Sequence, residues 1–173
     1  MQYRTLPGTG ISVSILALGT MGFGTETDEA EAFAILDSFV AADGNLIDTA
    51  NVYGAGASEE LLGRWFASRP ADVTDKVVLA TKARFGTGPD VNEVGSSRRN
   101  LDRALTASLR RLGREKVDLY QLHGWDPPVG RRRAPRGDVR RRGPRRMGRR
   151  VRSLRSRGRP LRFRVVRGLA RQV

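Results

Sequence analysis

Four polar side chains in this 173-residue chain are of types that can move a proton, and they stand where apolar runs give out. Asp48 follows Leu46-Ile47, Lys82 closes Ala80-Thr81-Lys82, and His123 closes Leu119-Tyr120-Gln121-Leu122-His123. Tyr53 lies five residues beyond Asp48. Short apolar runs read as strands, and in parallel α/β folds ligands gather at the carboxyl ends of the strands. Taken singly, each residue has an ordinary structural role: a turn-forming Asp, a solvated Lys, a packing Tyr, a hydrogen-bonded His. Together they compose an acid. A phenol ionises near pH ~10 in water, too high for easy proton transfer at neutrality. An ammonium beside it favours the phenolate. A carboxylate beside the ammonium holds it in place and offsets its burial. An imidazole can orient a carbonyl oxygen or assist the proton transfer. Such a group donates to an oxygen that gains negative charge, as when hydride adds to a carbonyl carbon.

The elements that must position these residues alternate along the chain. Strands are expected at Ile15–Leu18, Leu46–Ala50, Val77–Ala80 and Val117–Leu122, starting about 31, 31 and 40 residues apart, a spacing that suits βαβ units on a parallel sheet. Between them, Asp28 with Glu31 forms a capping-box pattern ahead of Phe33, Leu36 and Val40, and Gly44 is a plausible stop. Ser58 is expected to cap a second helix, with Glu59 and Glu60 in its first turn and Leu61, Leu62, Trp65 and Phe66 on its apolar side. A third carries Leu101, Leu105, Ser108 and Leu112 and stops at Gly113, after a polar loop from Arg84 to about Gly95. Tyr3 to Ser14, with Pro7-Gly8-Thr9-Gly10 at its centre, reads as a hairpin ahead of the first sheet strand.

Composition divides the chain in two. Residues 1–128 carry 13 Lys+Arg against 17 Asp+Glu; residues 129–173 carry 19 Arg and one acid, Asp138. The formal charge of +14 therefore belongs to the second part, and the mildly acidic body needs no polyanionic partner. With no cysteine, a disulfide framework, a thiolate nucleophile and a cysteine zinc site are excluded, and the single histidine argues against a histidine-rich metal centre. The apolar runs are far below the ~20 residues of a membrane helix. Met1 to Gly10 lacks a basic start followed by an apolar stretch, so the expectation is a soluble cytoplasmic protein without a secretory signal.

Leu18-Gly19-Thr20-Met21, Ile47-Asp48-Thr49-Ala50-Asn51-Val52-Tyr53-Gly54, Ala80-Thr81-Lys82, Ser108-Leu109-Arg110-Arg111-Leu112 and Asp118-Leu119-Tyr120-Gln121-Leu122-His123 together resemble the N-terminal half of an aldo-keto reductase. The resemblance implies a (β/α)8 TIM barrel, of which about four βα units are encoded in residues 1–128. It implies NADPH as cofactor, a small carbonyl compound as substrate, and an Asp-Tyr-Lys-His tetrad falling on Asp48, Tyr53, Lys82 and His123. In that tetrad Tyr53 would be the general acid and Lys82 its tuner. Asp48 would be the partner of Lys82, and His123 would position the carbonyl. Gly19, Thr20, Met21 and Asp48 would lie against the nicotinamide ribose. The glycines of Gly19-Thr20-Met21-Gly22-Phe23-Gly24 and Gly54-Ala55-Gly56 lack the spacing of a dinucleotide fingerprint and read as loop glycines at a barrel mouth. The family's second-half elements do not occur in residues 129–173: the Gly-x-Ser-Asn strand end, the glutamine beneath the nicotinamide and the basic 2′-phosphate loop. The expectation is a truncated and impaired enzyme.

Residues 129–173 consist mostly of Arg, Gly and Pro, a composition that should not fold alone. Three readings stand. The segment is an out-of-frame translation of a GC-rich gene, cut near Asp126 to Gly130; or it is a nucleic-acid-binding arm; or it is a solvated tail. The arm corresponds to an alternative function, a basic nucleic-acid-binding protein built on a catalytically idle half barrel, and Arg157-Gly158-Arg159-Pro160 resembles the core of a minor-groove reader.

Overall fold

A computed structural model describes residues 1–126, so the expectations for 129–173, disordered or out-of-frame tail and nucleic-acid arm alike, lie outside the described residues. The chain opens with a hairpin of β1 (Tyr3–Thr5) and β2 (Ser12–Ser14), paired antiparallel with Tyr3 opposite Ser14. A four-stranded parallel sheet follows, in the order β3 (Ala17–Gly19), β4 (Leu46–Asp48), β5 (Val78–Ala83) and β6 (Leu119–Leu122). Spatial order equals chain order. The helices α1 (Glu29–Ala41), α2 (Ala57–Ser68) and α4 (Arg98–Leu112) connect successive strands, with a short α3 (Ala71–Thr74) after α2. This is the repeating βα pattern of a barrel, with four of the eight strands that closure requires.

The two-residue period of the strands sorts their side chains onto two faces. Leu18, Ile47 and Leu79 point to the helices and pack with Leu36, Leu61, Leu62 and Trp65 in the main core, while Ala83 and Tyr120 pack with Leu105 and Leu109 of α4. Among the described residues, the other face is closed at its amino end alone. There Val78, Ala80 and Leu119 meet Val13, Leu6 and Ile11 of the hairpin. Asp48, Lys82 and Gln121 share the parity of these residues but come later on their strands, with Lys82 opposite Gln121 in the β5–β6 register. They emerge past the hairpin plug, at the carboxyl end of the sheet.

Some boundaries differ from the sequence expectation, for physical reasons. The first sheet strand is Ala17–Gly19 rather than Ile15–Leu18. Ser14 turns the chain by donating its hydroxyl to the Leu16 carbonyl, which leaves Ile15 and Leu16 49% and 62% exposed. The second strand ends at Asp48 rather than Ala50, the third extends through Lys82 to Ala83, and the fourth starts at Leu119. Asp28 does cap α1, accepting from the Glu31 amide at 2.9 Å. At its other end the left-handed residue is Asp43 (φ 61°), whereas Gly44 is required for space, since a Cβ there would enter the Phe39 ring. Ser58 is not the cap of α2. Gly56 occupies that position with φ 107°, and Ser58 and Glu59 turn inward.

Candidate active site

Lys82 organises the carboxyl end of the sheet. Its Nζ donates to Asp48 Oδ2 at 2.6 Å, to the Thr49 carbonyl at 3.0 Å and to Tyr53 Oη at 3.1 Å. An ammonium has three N–H donors and no acceptor, so all three are used. The same Nζ lies 4.9 Å from the Tyr53 ring centroid, within cation–π range. The Lys82 side chain is only 14% exposed and Asp48 30%. A buried ammonium is tolerable where a carboxylate and further oxygens surround it.

Local structure explains how Tyr53 reaches this point. After β4 the chain keeps bonding to β5: the Thr49 amide donates to the Ala80 carbonyl and the Asn51 amide to the Lys82 carbonyl, at 2.9 and 3.0 Å. The Tyr53 amide then donates to the Ala50 carbonyl, and Gly54 and Ala55 follow in the left-handed region at φ 55° and 54°. Ala55 bears a Cβ there, a conformation that costs about 1 kcal/mol. The turn aims Tyr53 back over the sheet and leads into α2.

His123 follows β6, its amide donating to the Ala83 carbonyl at 3.0 Å. Its ring stands edge-on to Tyr53, with centroids 5.5 Å apart, and to Phe85 at 4.9 Å. Burial, then the Lys82 charge, push the imidazole below its usual pKa of 6.5, against the pull of Asp48 in the other direction. It is therefore neutral at neutral pH, and its Nδ1 is enclosed without a hydrogen-bond partner. Asp48, Tyr53, Lys82 and His123 thus form one cluster.

The remaining candidates sit beside it in different ways. Gly19 pairs with Asp48 across the β3–β4 register, and the space where its Cβ would lie is open for 4 Å. Met21 is 67% exposed. Thr20 is fully buried: its amide donates to the Asp48 carbonyl at 3.1 Å, and its hydroxyl joins Thr49 and Ser58 in a closed cluster of 2.8 to 3.1 Å bonds. Two further residues support the cluster. Gln121 Nε2 donates to Asp48 Oδ1 at 3.3 Å, holding the carboxylate oxygen that Lys82 does not use. Ser58 locks the β3 and β4 ends together from behind. The alternation of β6 could have placed Gln121 on the site face; nothing local marks Ser58 as anything but a helix cap. Among the described residues no group of three or more His, Asp or Glu is placed to hold a metal, and no helix is long and apolar enough to cross a membrane.

A parallel βα sheet that gathers a Lys, an Asp, a Tyr and a His at its strand ends defines a class of barrel protein. The chain belongs to the Aldo/keto reductase family, whose model it matches over residues 15–135. It is 42% identical over 135 residues to the uncharacterized oxidoreductase YrpG of Bacillus subtilis, covering 73% of this chain and 41% of that protein. It is 44% identical over 133 residues to norsolorinic acid reductase stcV of Emericella nidulans, covering 69% of this chain and 34% of the relative. With norsolorinic acid reductase B of Aspergillus parasiticus the identity is 42% over 142 residues, covering 74% and 37%. The chain thus spans roughly two-fifths or less of the length of these curated relatives.

Proposed function

We propose that the protein is an oxidoreductase that moves hydride between NADPH and a small carbonyl or alcohol, with Tyr53 as the proton donor. One observation carries the reading: Lys82 spends its three N–H groups on Asp48, Thr49 and Tyr53. The Tyr53 oxygen accepts from Lys82, so its own O–H remains to donate to a carbonyl. As the carbonyl oxygen gains charge, the proton leaves Tyr53 Oη for it, and the phenolate oxygen keeps the hydrogen bond from Lys82. Asp48 balances the ammonium, and Gln121 orients Asp48. A neutral His123 can steer the carbonyl without adding a second cation beside Lys82.

The residues present fit the nicotinamide end of the cofactor. Gly19 leaves open floor beside the partly exposed Asp48 carboxylate, an acceptor suited to ribose hydroxyls; Met21 is exposed next to it, and the buried Thr20 holds the strand end in place from behind. When bound there, the reduced nicotinamide supplies the hydride. The reading assigns the chemistry to residues 1–128. It takes 129–173 as an out-of-frame stretch that leaves the chain impaired; the coding DNA, read in the other two frames, should then contain further βα units with a Gly-x-Ser-Asn segment.

Fluorescence titration with NADPH, paired with turnover of 4-nitrobenzaldehyde, tests the function. Cofactor binding and slow alcohol formation matched by cofactor oxidation are expected. Failure to bind NADPH or oxidise it with any simple aldehyde would refute the proposal. DNA binding that weakens steeply with salt and is lost on deleting 129–173 would instead favour a nucleic-acid partner.

A further inference from the structure

Beside the proton-donating cluster stands a cation that the chemistry above does not use. Arg84 follows β5 directly, and its guanidinium carbon lies 4.8 Å from the Phe85 ring centroid. Phe85 in turn packs edge-on against His123. Arg84, Phe85, His123 and Tyr53 therefore form a continuous row along the mouth of the site. Gly124, two residues past β6, borders the row: a Cβ there would lie 3.6 Å from Phe85 and 3.8 Å from Arg84 Cδ, ordinary contact distances.

Three observations single Arg84 out. Its backbone has φ 151°, a strained value for a residue with a side chain, and such strain concentrates at functional positions. Its Nε is buried with no hydrogen-bond partner, although a buried charged donor normally has one. Among the described residues it forms no ion pair, and this is not for want of acids in the loop that follows. Asp90 and Glu93 are both taken by Arg103, at 3.3 and 3.1 Å, and Asp126 accepts from the Ser96 amide. The loop neutralises a different arginine and leaves this one against Phe85 with an unfilled donor.

The geometry points to Arg84 as a binding residue for an anionic group on the substrate, a carboxylate or a similar oxyanion, held one aromatic ring's length from the carbonyl that Tyr53 addresses. A planar guanidinium suits paired oxygens, and charge-assisted hydrogen bonds of this kind are the strong ones. The flat walls of Phe85 and His123 suit a planar spacer between the two ends. The inference rests on the assignment of the carbonyl to Tyr53, but its test does not require turnover.

The probes are 4-carboxybenzaldehyde and 4-nitrobenzaldehyde, alike in ring, aldehyde and outline and different in charge. Their dissociation constants are measured by ligand-observed NMR on the full chain without cofactor. The wild type should bind the carboxylate about tenfold more tightly or better. That preference should shrink with added salt, vanish in Arg84→Leu and survive in part in Arg84→Lys. Equal binding of the two probes by the wild type, or a salt-independent preference, overturns the inference even if Arg84→Leu fails to fold. So does an unchanged preference in a folded Arg84→Leu. Reduction of both aldehydes is followed in parallel. A carboxylate preference without reduction would uphold Arg84 and refute the reductase reading, and reduction without a preference would do the reverse.

Discussion

Glu59 is a buried charge on which three elements of the fold depend. It is fully buried in the first turn of α2, and both its oxygens are occupied. Oε1 accepts from Thr81 of β5 at 2.6 Å, and Oε2 accepts from Arg111 of α4 at 2.8 Å (Nε) and 2.7 Å (Nη2). One carboxylate thus ties α2 to the sheet and to the neighbouring helix. Glu59→Leu leaves the Arg111 guanidinium without its counter-ion and the Thr81 hydroxyl without its acceptor. Removing one member of a buried pair costs about 3–5 kcal/mol, and an orphaned hydroxyl about 1–3. Arg111 is 20% exposed and can turn partly to water, which places the total near the lower end, about 4 kcal/mol. Against a typical stability of about 5–15 kcal/mol this is a large fraction. Arg111→Leu should cost a similar amount by leaving a buried carboxylate behind. The double variant removes both charges, so it should be less destabilised than either single variant. Urea unfolding of the four proteins, followed by circular dichroism with midpoints compared at a common slope, gives the coupling energy. Additive losses in the double variant would refute the claim that the two charges act as a unit.

Three other expectations follow from neighbouring features. Gly63→Ala would drive a Cβ into the Arg111 carbonyl where α2 crosses α4, and unfolding should occur about 1–3 kcal/mol more easily; unchanged denaturation would show that the helices can part without loss. Ser58→Ala should cost about 1–3 kcal/mol, because Thr20 and Thr49 lose a buried partner, whereas a helix cap alone would give about 1 and leave the site unaffected. His123 has its folded pKa depressed below 6.5, so the unfolded chain takes up the proton first as pH falls. Stability from this group is present above pH 6.5 and lost as pH falls through the folded value, and His123→Gln should flatten that part of the stability profile.

The site was legible in the sequence to the extent that it obeys strand periodicity. Asp48, Lys82 and His123 fall at strand ends because short apolar runs mark the strands, and register then aligns them on one face. Tyr53 was legible only as a loop residue near Asp48; the left-handed turn at Gly54 and Ala55 that delivers it to Lys82 leaves no periodic trace. The roles of Ser58 and Glu59 were hidden for another reason. Ser followed by two acids before an apolar run is the local pattern of a capped helix, and the partners that override it, Thr20 and Arg111, lie 38 and 52 residues away. Long-range pairing also decides Gln121, whose amide is ordinary until it meets Asp48. Arg84 looked like the start of a polar loop, and only its strain and lack of a partner distinguish it.

Single-turnover reduction of 4-nitrobenzaldehyde by the wild type and by Tyr53→Phe, with NADPH affinity measured on the same preparations, tests the assignment of the proton donor most directly. Loss of the hydroxyl should slow the chemical step by about 10²–10⁴-fold while cofactor affinity stays nearly the same. An equal single-turnover rate in the two proteins would contradict it.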